Sequence, residues 1–351
     1  MGKKVIIGMS GGVDSSVSAY LLKKAGYDVI GVTMHTWQDG NIKDKMINPL
    51  CVEDAMAVAK ILDIPYYVVD FRKQFKCNVV DYFINDYFDG LTPNPCNTCN
   101  RTIKWEALMG KGEELGAQYI ATGHYAKIEL RDNGRYAIKC ASSEGKDQTY
   151  ALYNLTQDQL SKTIMPIGQY QKEEIRKIAR EIGLNVADKA DSQDICFIPD
   201  GDYGSFIKAH SDKIAKEGNF VDKEGNVLGR HKGIIHYTIG QRKGLGIALG
   251  HPVFVTGIDK KKNQIIIGEN EDLFVTKVRA CNINFMGVDS IEDGKRFLGK
   301  IRYSHKKSQC TAFYKDGILT CEFDEPVRAA TPGQALVLYD GEYVACGGTI
   351  L

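Results

Sequence analysis

The sequence predicts an α/β protein: an N-terminal doubly wound parallel sheet, then a small mixed, β-rich central domain, then a C-terminal β-barrel. Three observations predict it. In the first two hundred or so residues, short apolar runs alternate with longer amphipathic ones, the pattern of strand–helix–strand units. Beyond them helical periods thin out and glycine turns multiply, as in "NFVDKEGNVLGRHKG". From "PVFVTGIDKKKNQIIIG" onward, strand-like runs are separated by turn signals such as "KDG" and "YDG", which suits a small barrel. The expected divisions are 1–205, 206–275 and 276–351.

Taken in order, "KVIIGM" (4–9), "DVIGVTM" (28–34), "PYYVVDF" (65–71) and "QYIATGHY" (118–125) are the expected strands. Between them, "SSVSAYLLKKAG" and "VEDAMAVAKILD" have helical spacing, as does "QKEEIRKIAREIG" (171–183) with its glycine stop. In "LTPNPCNTCNRTIKW" two prolines flank Asn94. Proline fixes φ and pushes its predecessor out of the helical region, so Asn94–Pro95 reads as a stiff elbow after which a helix can start.

Composition narrows the class. At 351 residues, 43% hydrophobic and 25% charged, the chain is globular and large enough for more than one core. A formal net charge of +1 gives no bulk attraction to nucleic acid, so any such contact must come from local basic patches. No apolar run approaches the roughly 20 residues of a membrane span, and strand-like "KKVIIGM" leaves no room for a signal peptide. Ten cysteines in such a chain read as reduced thiols, and the expected location is cytoplasmic.

"GMSGGVDSS" (8–16) joins the first strand to the first helix. Gly11 and Gly12 let backbone approach an anion, and the helix start offers free N–H groups and a favourable dipole. Ser10, Ser15 and Ser16 add hydroxyls, and Asp14 is placed to bear on a phosphate-bound Mg2+. The stretch lacks Gly-Lys-Ser/Thr and G-x-G-x-x-G, so it is neither a kinase-type phosphate loop nor a dinucleotide fingerprint. SGGxDS after an N-terminal strand resembles the PP-loop of the ATP pyrophosphatases, a HUP-like fold. That resemblance implies ATP as substrate and adenylation of a substrate oxygen.

Cys96 and Cys99 stand on the proline elbow, and Cys196 lies in "DSQDICFIP". A structural zinc would need a second nearby pair. Cys196, between Ile195 and Phe197, also suits a core position. Cys51, Cys77, Cys140, Cys281, Cys310, Cys321 and Cys346 sit among apolar or strand-like residues and are expected to fill cores.

"GMSGGVDSSV", "TPNPCNTCN", "ATGHYAKI", "KDQTYAL", "DSQDICFI" and "YTIGQRKGLG" occur in one order, followed by "KIRY" and "TPGQALVLY". Together they resemble the tRNA-specific 2-thiouridylase (MnmA/TrmU) family over nearly the whole chain. The resemblance implies adenylation of O2 of the wobble uridine by ATP and sulfur transfer to C2, giving 2-thiouridine, AMP and pyrophosphate. Carried over by motif, Gly8, Met9, Ser10, Gly11, Gly12, Val13, Asp14, Ser15, Met34 and Gly123 line the ATP site. Cys99 is the nucleophile or partner thiol and Cys196 the persulfide carrier, the two able to form a disulfide. Asn94, Pro95 and Cys96 face the target base. His124, Lys146, Asp147, Gln148, Arg302, Tyr303 and Gln334 match tRNA-contacting positions. The implied partners are tRNAs for lysine, glutamate and glutamine and a sulfur donor, protein or sulfide. Arg242 and Lys243, in a glycine-flanked loop, suit a phosphate backbone.

One position departs from the family. Many members carry Asp where this chain has Cys96. The resulting trio Cys96, Cys99 and Cys196 resembles the triple-cysteine, iron–sulfur-dependent tRNA thiolation enzymes. That resemblance implies a 4Fe–4S cluster on those three sulfurs, with one iron left open. Two other readings stay open at the level of sequence: another PP-loop ligase or amidotransferase, and a non-catalytic tRNA-binding protein.

Overall fold

The computed structural model describes residues 2–37, 49–189 and 195–351, so the "DSQD" of the Cys196 motif lies outside the described residues. The first sheet is parallel throughout, with strands in the order β3-β2-β1-β4-β7. These strands are β1 (Lys4–Gly8), β2 (Asp28–His35), β3 (Tyr66–Asp70), β4 (Tyr119–Ala121) and β7 (Thr163–Ile164). Successive side chains of a strand point to opposite faces, and both faces are covered. Val5 and Ile7 join a core with helix α1 (Val13–Lys24), helix α2 (Pro49–Ile61) and the helix Lys172–Glu181. Ile6 faces the other way, towards Trp105 and Leu108 of the long helical run 95–114. The parallel sheet expected from the alternating pattern is therefore present and doubly covered.

The fourth strand is shorter than its apolar run. "QYIATGHY" leaves the sheet after Ala121, because Gly123 turns the backbone against the start of α1. Strands β5 (Lys127–Leu130) and β6 (Tyr136–Lys139) then form a hairpin that pairs with the barrel, through Tyr343↔Lys139, and not with the parallel sheet.

The second unit is a mixed four-stranded sheet in the order β10-β11-β8-β9: β8 (Gly218–Val221), β9 (Val227–His231), β10 (Phe254–Asp259) and β11 (Gln264–Gly268). Its core is continuous with Phe71, Phe75 and Phe83 of the first unit and with Phe197. The third unit is antiparallel, β12 (Phe274–Phe285), β13 (Lys295–Lys300), β14 (Ser308–Lys315), β15 (Ile318–Arg328), β16 (Ala335–Asp340) and β17 (Tyr343–Ile350). The order β12-β15-β14-β13-β16-β17 closes on itself by β12–β17 pairing, which leaves this six-stranded ring without free edges. Cys310, Cys321 and Cys346 fill its interior as expected of small apolar residues. Cys51, Cys140 and Cys281 are only half-buried and Cys77 is exposed, so the core role expected of these four does not hold in full. Among the described residues no helix is long and apolar enough to cross a membrane.

Candidate active site

The glycine loop is shaped by contacts that admit no side chain. Gly11 has φ +70°, and a Cβ there would lie 2.4 Å from the Cys51 carbonyl oxygen at the start of α2. Gly12 is the N-cap of α1 and brings no side chain to cap it, so the first-turn N–H groups remain available to an anion. Inside the turn, the Ser10 N–H donates to Ser15 Oγ at 3.2 Å, and the Ser16 hydroxyl to the Gly12 carbonyl at 2.8 Å. Met34 Cε reaches Gly8, 3.2 Å from where a Cβ would stand. Gly123 lies against the backbone of Asp14 and Ser15. The residues Gly8 to Ser15, Met34 and Gly123 thus form one contiguous lining.

Asp14 is held by partners of its own. Lys172 Nζ lies 2.8 Å from each carboxylate oxygen, and the Tyr125 hydroxyl donates to Oδ1 at 2.8 Å. The Lys172 side chain is only 8% exposed. Both Asp14 oxygens accept hydrogen bonds within the protein, and the carboxylate ties α1 to the helix Lys172–Glu181.

The elbow behaves as its prolines dictate. Asn94 has extended φ/ψ (−107°, 95°), Pro95 opens the helix, and the Asn94 side chain accepts from the N–H groups of Cys96 (3.1 Å) and Asn97 (3.4 Å). Cys96 is exposed, three residues before half-buried Cys99. From Asn100 to Ala107 the helix is wound as a π-helix, a form often found at functional sites. Burial pushes the Cys99 thiol up to about 12; Lys104 opposes the shift, and Cys196 and Cys96 add to it. The Cys196 thiol is raised in the same way, first by burial and then by Cys96, with Lys104 again opposing. Cys99 packs against the same apolar cluster as Ile195 and Phe197, the two neighbours of Cys196, and the mutual effects of the three sulfurs and Lys104 agree with that proximity. Phe197 fixes the Cys196 backbone in an aromatic box, 5.5 Å from Phe75 and Phe83 and 5.2 Å from Phe206 between ring centroids.

Among the described residues no three His, Cys, Asp or Glu side chains form a group that could hold a metal ion. Cys96, Cys99 and Cys196 are near one another but are not drawn together round a single point.

His124 connects the loop to the thiols. It follows Gly123, is buried, bonds Thr122 Oγ1 through Nδ1 at 2.8 Å and lies 5.5 Å from the Trp105 ring. Burial, aided by Lys104, holds its pKa well below the ordinary value, so the ring is neutral. Tyr303 reaches from the barrel; its hydroxyl donates to the Asp147 carbonyl at 3.2 Å, and Cys96 contributes to raising its pKa after burial and Asp147. Lys146 ends the 3₁₀ turn Glu144–Lys146. Several expected tRNA contacts are turned inward. The Asp147 carboxylate accepts from the Ala141 and Thr149 N–H groups (2.9 and 3.1 Å), and Gln148 Oε1 from the Tyr125 N–H (2.9 Å). Arg302 Nη2 donates to Ala329 and Ile239 carbonyls and to Thr331 Oγ1. Gln334 Nε2 donates to the Thr92 carbonyl at 2.7 Å. Arg242 and Lys243 are exposed.

Sequence reasoning missed Lys104, Lys172 and Lys189. Lys189 Nζ bonds the Gly11 carbonyl (3.1 Å) and Asp54 (2.8 Å), at the lip of the glycine loop. Each reads locally as a solvated helix or loop lysine, and only the fold gives it a partner.

Residues 3–200 match the family described as tRNA methyl transferase HUP domain, residues 204–269 its PRC-barrel domain, and residues 275–350 the aminomethyltransferase β-barrel domain. A protein of Lachnoclostridium phytofermentans named tRNA-specific 2-thiouridylase MnmA is 57% identical over 99% of both chains. Proteins of the same name from Clostridium acetobutylicum (55%, all of both chains) and Clostridioides difficile (52%, 100% of this chain and 98% of the other) are similar throughout.

Proposed function

Because the chain belongs to the tRNA-specific 2-thiouridylase family, and is therefore a tRNA sulfurtransferase, we propose that the glycine loop, the elbow thiols and Cys196 act together on the wobble uridine. ATP is the co-substrate, with its phosphates on the α1 start, where Gly12 leaves first-turn N–H groups uncapped and the Ser10 and Ser15 hydroxyls lie beside them. Lys172 and Tyr125 hold the Asp14 carboxylate beside that turn, where it would bear on a magnesium brought by the phosphates. Uridine O2 attacks the α-phosphorus, pyrophosphate leaves, and C2 becomes electrophilic. The uridine must be turned out of its stack to be reached, and Asn94, Pro95, Cys96 and Tyr303 border the place it would occupy.

Sulfur arrives on Cys196 as a persulfide, formed when the Cys196 thiolate takes the outer sulfur of a donor protein's persulfide and the donor's own thiol leaves. Its terminal sulfur attacks C2 and AMP departs with the C2–O bond pair. Cys99 then gives up its proton and attacks Cys196 Sγ. The S–S bond to the base breaks, leaving 2-thiouridine and a Cys99–Cys196 disulfide, and a dithiol reductant restores the two thiols. Lys104, the cation that opposes the rise of both thiols, favours each anionic sulfur.

The observation that carries this reading is the shared neighbourhood of Cys96, Cys99 and Cys196, joined to the loop through Gly123, His124 and Trp105. The test pairs tRNA-stimulated pyrophosphate release with mass spectrometry of tRNA nucleosides. Cys99→Ser and Cys196→Ser are expected to abolish 2-thiouridine while pyrophosphate is still released. Survival of thiolation in both variants overturns the relay. Anaerobic reconstitution with iron and sulfide tests the cluster reading, and a stoichiometric iron signal lost on Cys96→Ser would establish it.

A further inference from the structure

The thiol elbow is held at its base by the other two units, and Thr92 takes ties from both. Thr92 precedes Pro93-Asn94-Pro95, and neither proline has an N–H to donate. The Thr92 N–H donates to the Pro332 carbonyl (2.9 Å), and its carbonyl accepts from Gln334 Nε2 (2.7 Å). Its hydroxyl meets Thr238 Oγ1 of the central unit at 3.3 Å. Between the two barrel contacts lies Gly333, with φ +91°; a Cβ there would stand 2.9 Å from Thr92 N and 3.0 Å from its carbonyl carbon and oxygen.

The barrel side of the contact is itself fixed. The Gln334 N–H donates to Thr331 O, its carbonyl accepts from the Ile350 N–H, and the Gly333 N–H donates to Ile350 O. Behind it, Arg302 Nη2 binds Ala329 O (2.6 Å), Thr331 Oγ1 (2.6 Å) and, across the unit boundary, Ile239 O (3.2 Å). The contact therefore joins a braced loop to a stiff one. Displacement at Thr92 passes to Cys96 through a segment with two fixed φ angles.

We propose that the barrel loop Thr331–Gln334 is the positioning element of the thiol site, with Gln334 and Gly333 setting the place of Cys96 and Cys99 through Thr92. Gln334 is then a positioning residue, and the barrel a part of the sulfur-transfer apparatus. The inference rests on the relay reading above and assigns to the barrel the alignment of sulfur with base.

Gln334→Met keeps side-chain length and removes the donor. The expected result is a roughly tenfold fall in the thiolation kcat, since displacements near 1 Å reach about a hundredfold, with the KM for tRNA unchanged. Fewer 2-thiouridines form per pyrophosphate released. In tRNA-free protein, iodoacetamide alkylates Cys99 several-fold faster, as the loosened elbow exposes a thiol that burial now shields. Gln334→Lys, which keeps a donor, restores both. A raised KM for tRNA with unchanged coupling and unchanged alkylation overturns the proposal, because Gln334 would then serve tRNA alone. Gly333→Ala gives the same alkylation readout from backbone displacement, and no change in it also overturns the proposal. Failure of the relay itself shows separately, as thiolation that persists in Cys99→Ser.

Discussion

Adding one methyl group at Gly123 tests the contact on which the nucleotide site depends. An alanine Cβ there would lie 2.7 Å from Ser15 N, 2.9 Å from the Asp14 carbonyl carbon and 3.0 Å from Ser15 Cα. Ordinary contact begins near 3.4 Å, so the backbones must part by about 0.7 Å, and no flexible side chain can absorb the shift. Neither partner moves freely. Strand β4 is paired with β1 and β7 on its two sides, and α1 is gripped at Asp14 by Lys172 and Tyr125. Overpacking of this kind costs about 1–3 kcal/mol, a fall in Tm of roughly 1–2 °C per kcal/mol for 351 residues. The displacement falls on the first turn of α1, whose N–H groups are proposed to hold phosphate, so kcat/KM for ATP in tRNA-stimulated pyrophosphate release should drop about 10- to 100-fold. Thermal denaturation and ATP titration on the same Gly123→Ala preparation check both. A lowered Tm with normal ATP kinetics would refute the placement of the nucleotide, and no change in either would refute the contact.

Three further outcomes follow from particular side chains. Lys172→Met leaves the Asp14 carboxylate with only the Tyr125 hydroxyl, and should destabilise by about 1–3 kcal/mol, read by urea unfolding; wild-type stability would mean the ion pair contributes nothing net. The Cys346 thiol, fully buried and pushed up to about 12, keeps a proton that the unfolded chain loses above about pH 8.5. Its stabilisation is complete below that pH and falls by about 1.4 kcal/mol per unit above it; melts between pH 8 and 10 should show the decline, and Cys346→Val should make it shallower by that share, the raised Cys99 and Cys196 thiols keeping the rest. Exposed Arg242 and Lys243 lie on a turn with positive φ at Gly240 and Gly244; replacing either by Ala should weaken tRNA binding and reduce the slope of log affinity against log salt by about 1 for each phosphate no longer neutralised. An unchanged slope removes that loop from the interface.

What is legible in the sequence is what local chemistry dictates. Gly11 is readable because the loop there needs backbone without Cβ, and Asn94–Pro95 because proline restricts its neighbours whatever lies beyond. Hydrophobic period points to the parallel sheet and the β-rich end. Length of strand is not legible: "QYIATGHY" has the apolar pattern to run on, and only the approach of Gly123 to α1 ends it at Ala121. Nor is the partner of the hairpin β5–β6, which joins a strand some two hundred residues away. Lys172 lies in "QKEEIRKIAREIG", where its neighbours advertise a solvated face, yet its amine is buried on Asp14. Lys307 reads as part of a basic surface run, and its amine sits 4.0 Å from the centre of the Tyr339 ring. Charged residues whose partners come from distant segments leave no periodic signal.

The acidity of the thiols argues for the order of the sulfur steps. At neutral pH a thiol raised to about 12 is protonated, so Cys99 in the empty protein is a poor nucleophile, and Cys196 is moved the same way. A docked base would remove more water and raise both further. First attack on C2 by a Cys99 thiolate would therefore meet its barrier where the site is most closed. A persulfide escapes this, since Cys196 is exposed, its reactive sulfur stands one bond beyond Sγ, and its charge can lie towards Lys104. Cys99 need ionise only afterwards, when its target is the mixed disulfide on Cys196 and the reaction is intramolecular. The same burial that slows Cys99 as a first nucleophile keeps it reduced between turnovers. It also makes its position decisive, because a weak nucleophile held in place gains most from proximity, and that position is what the barrel loop at Thr92 is built to hold.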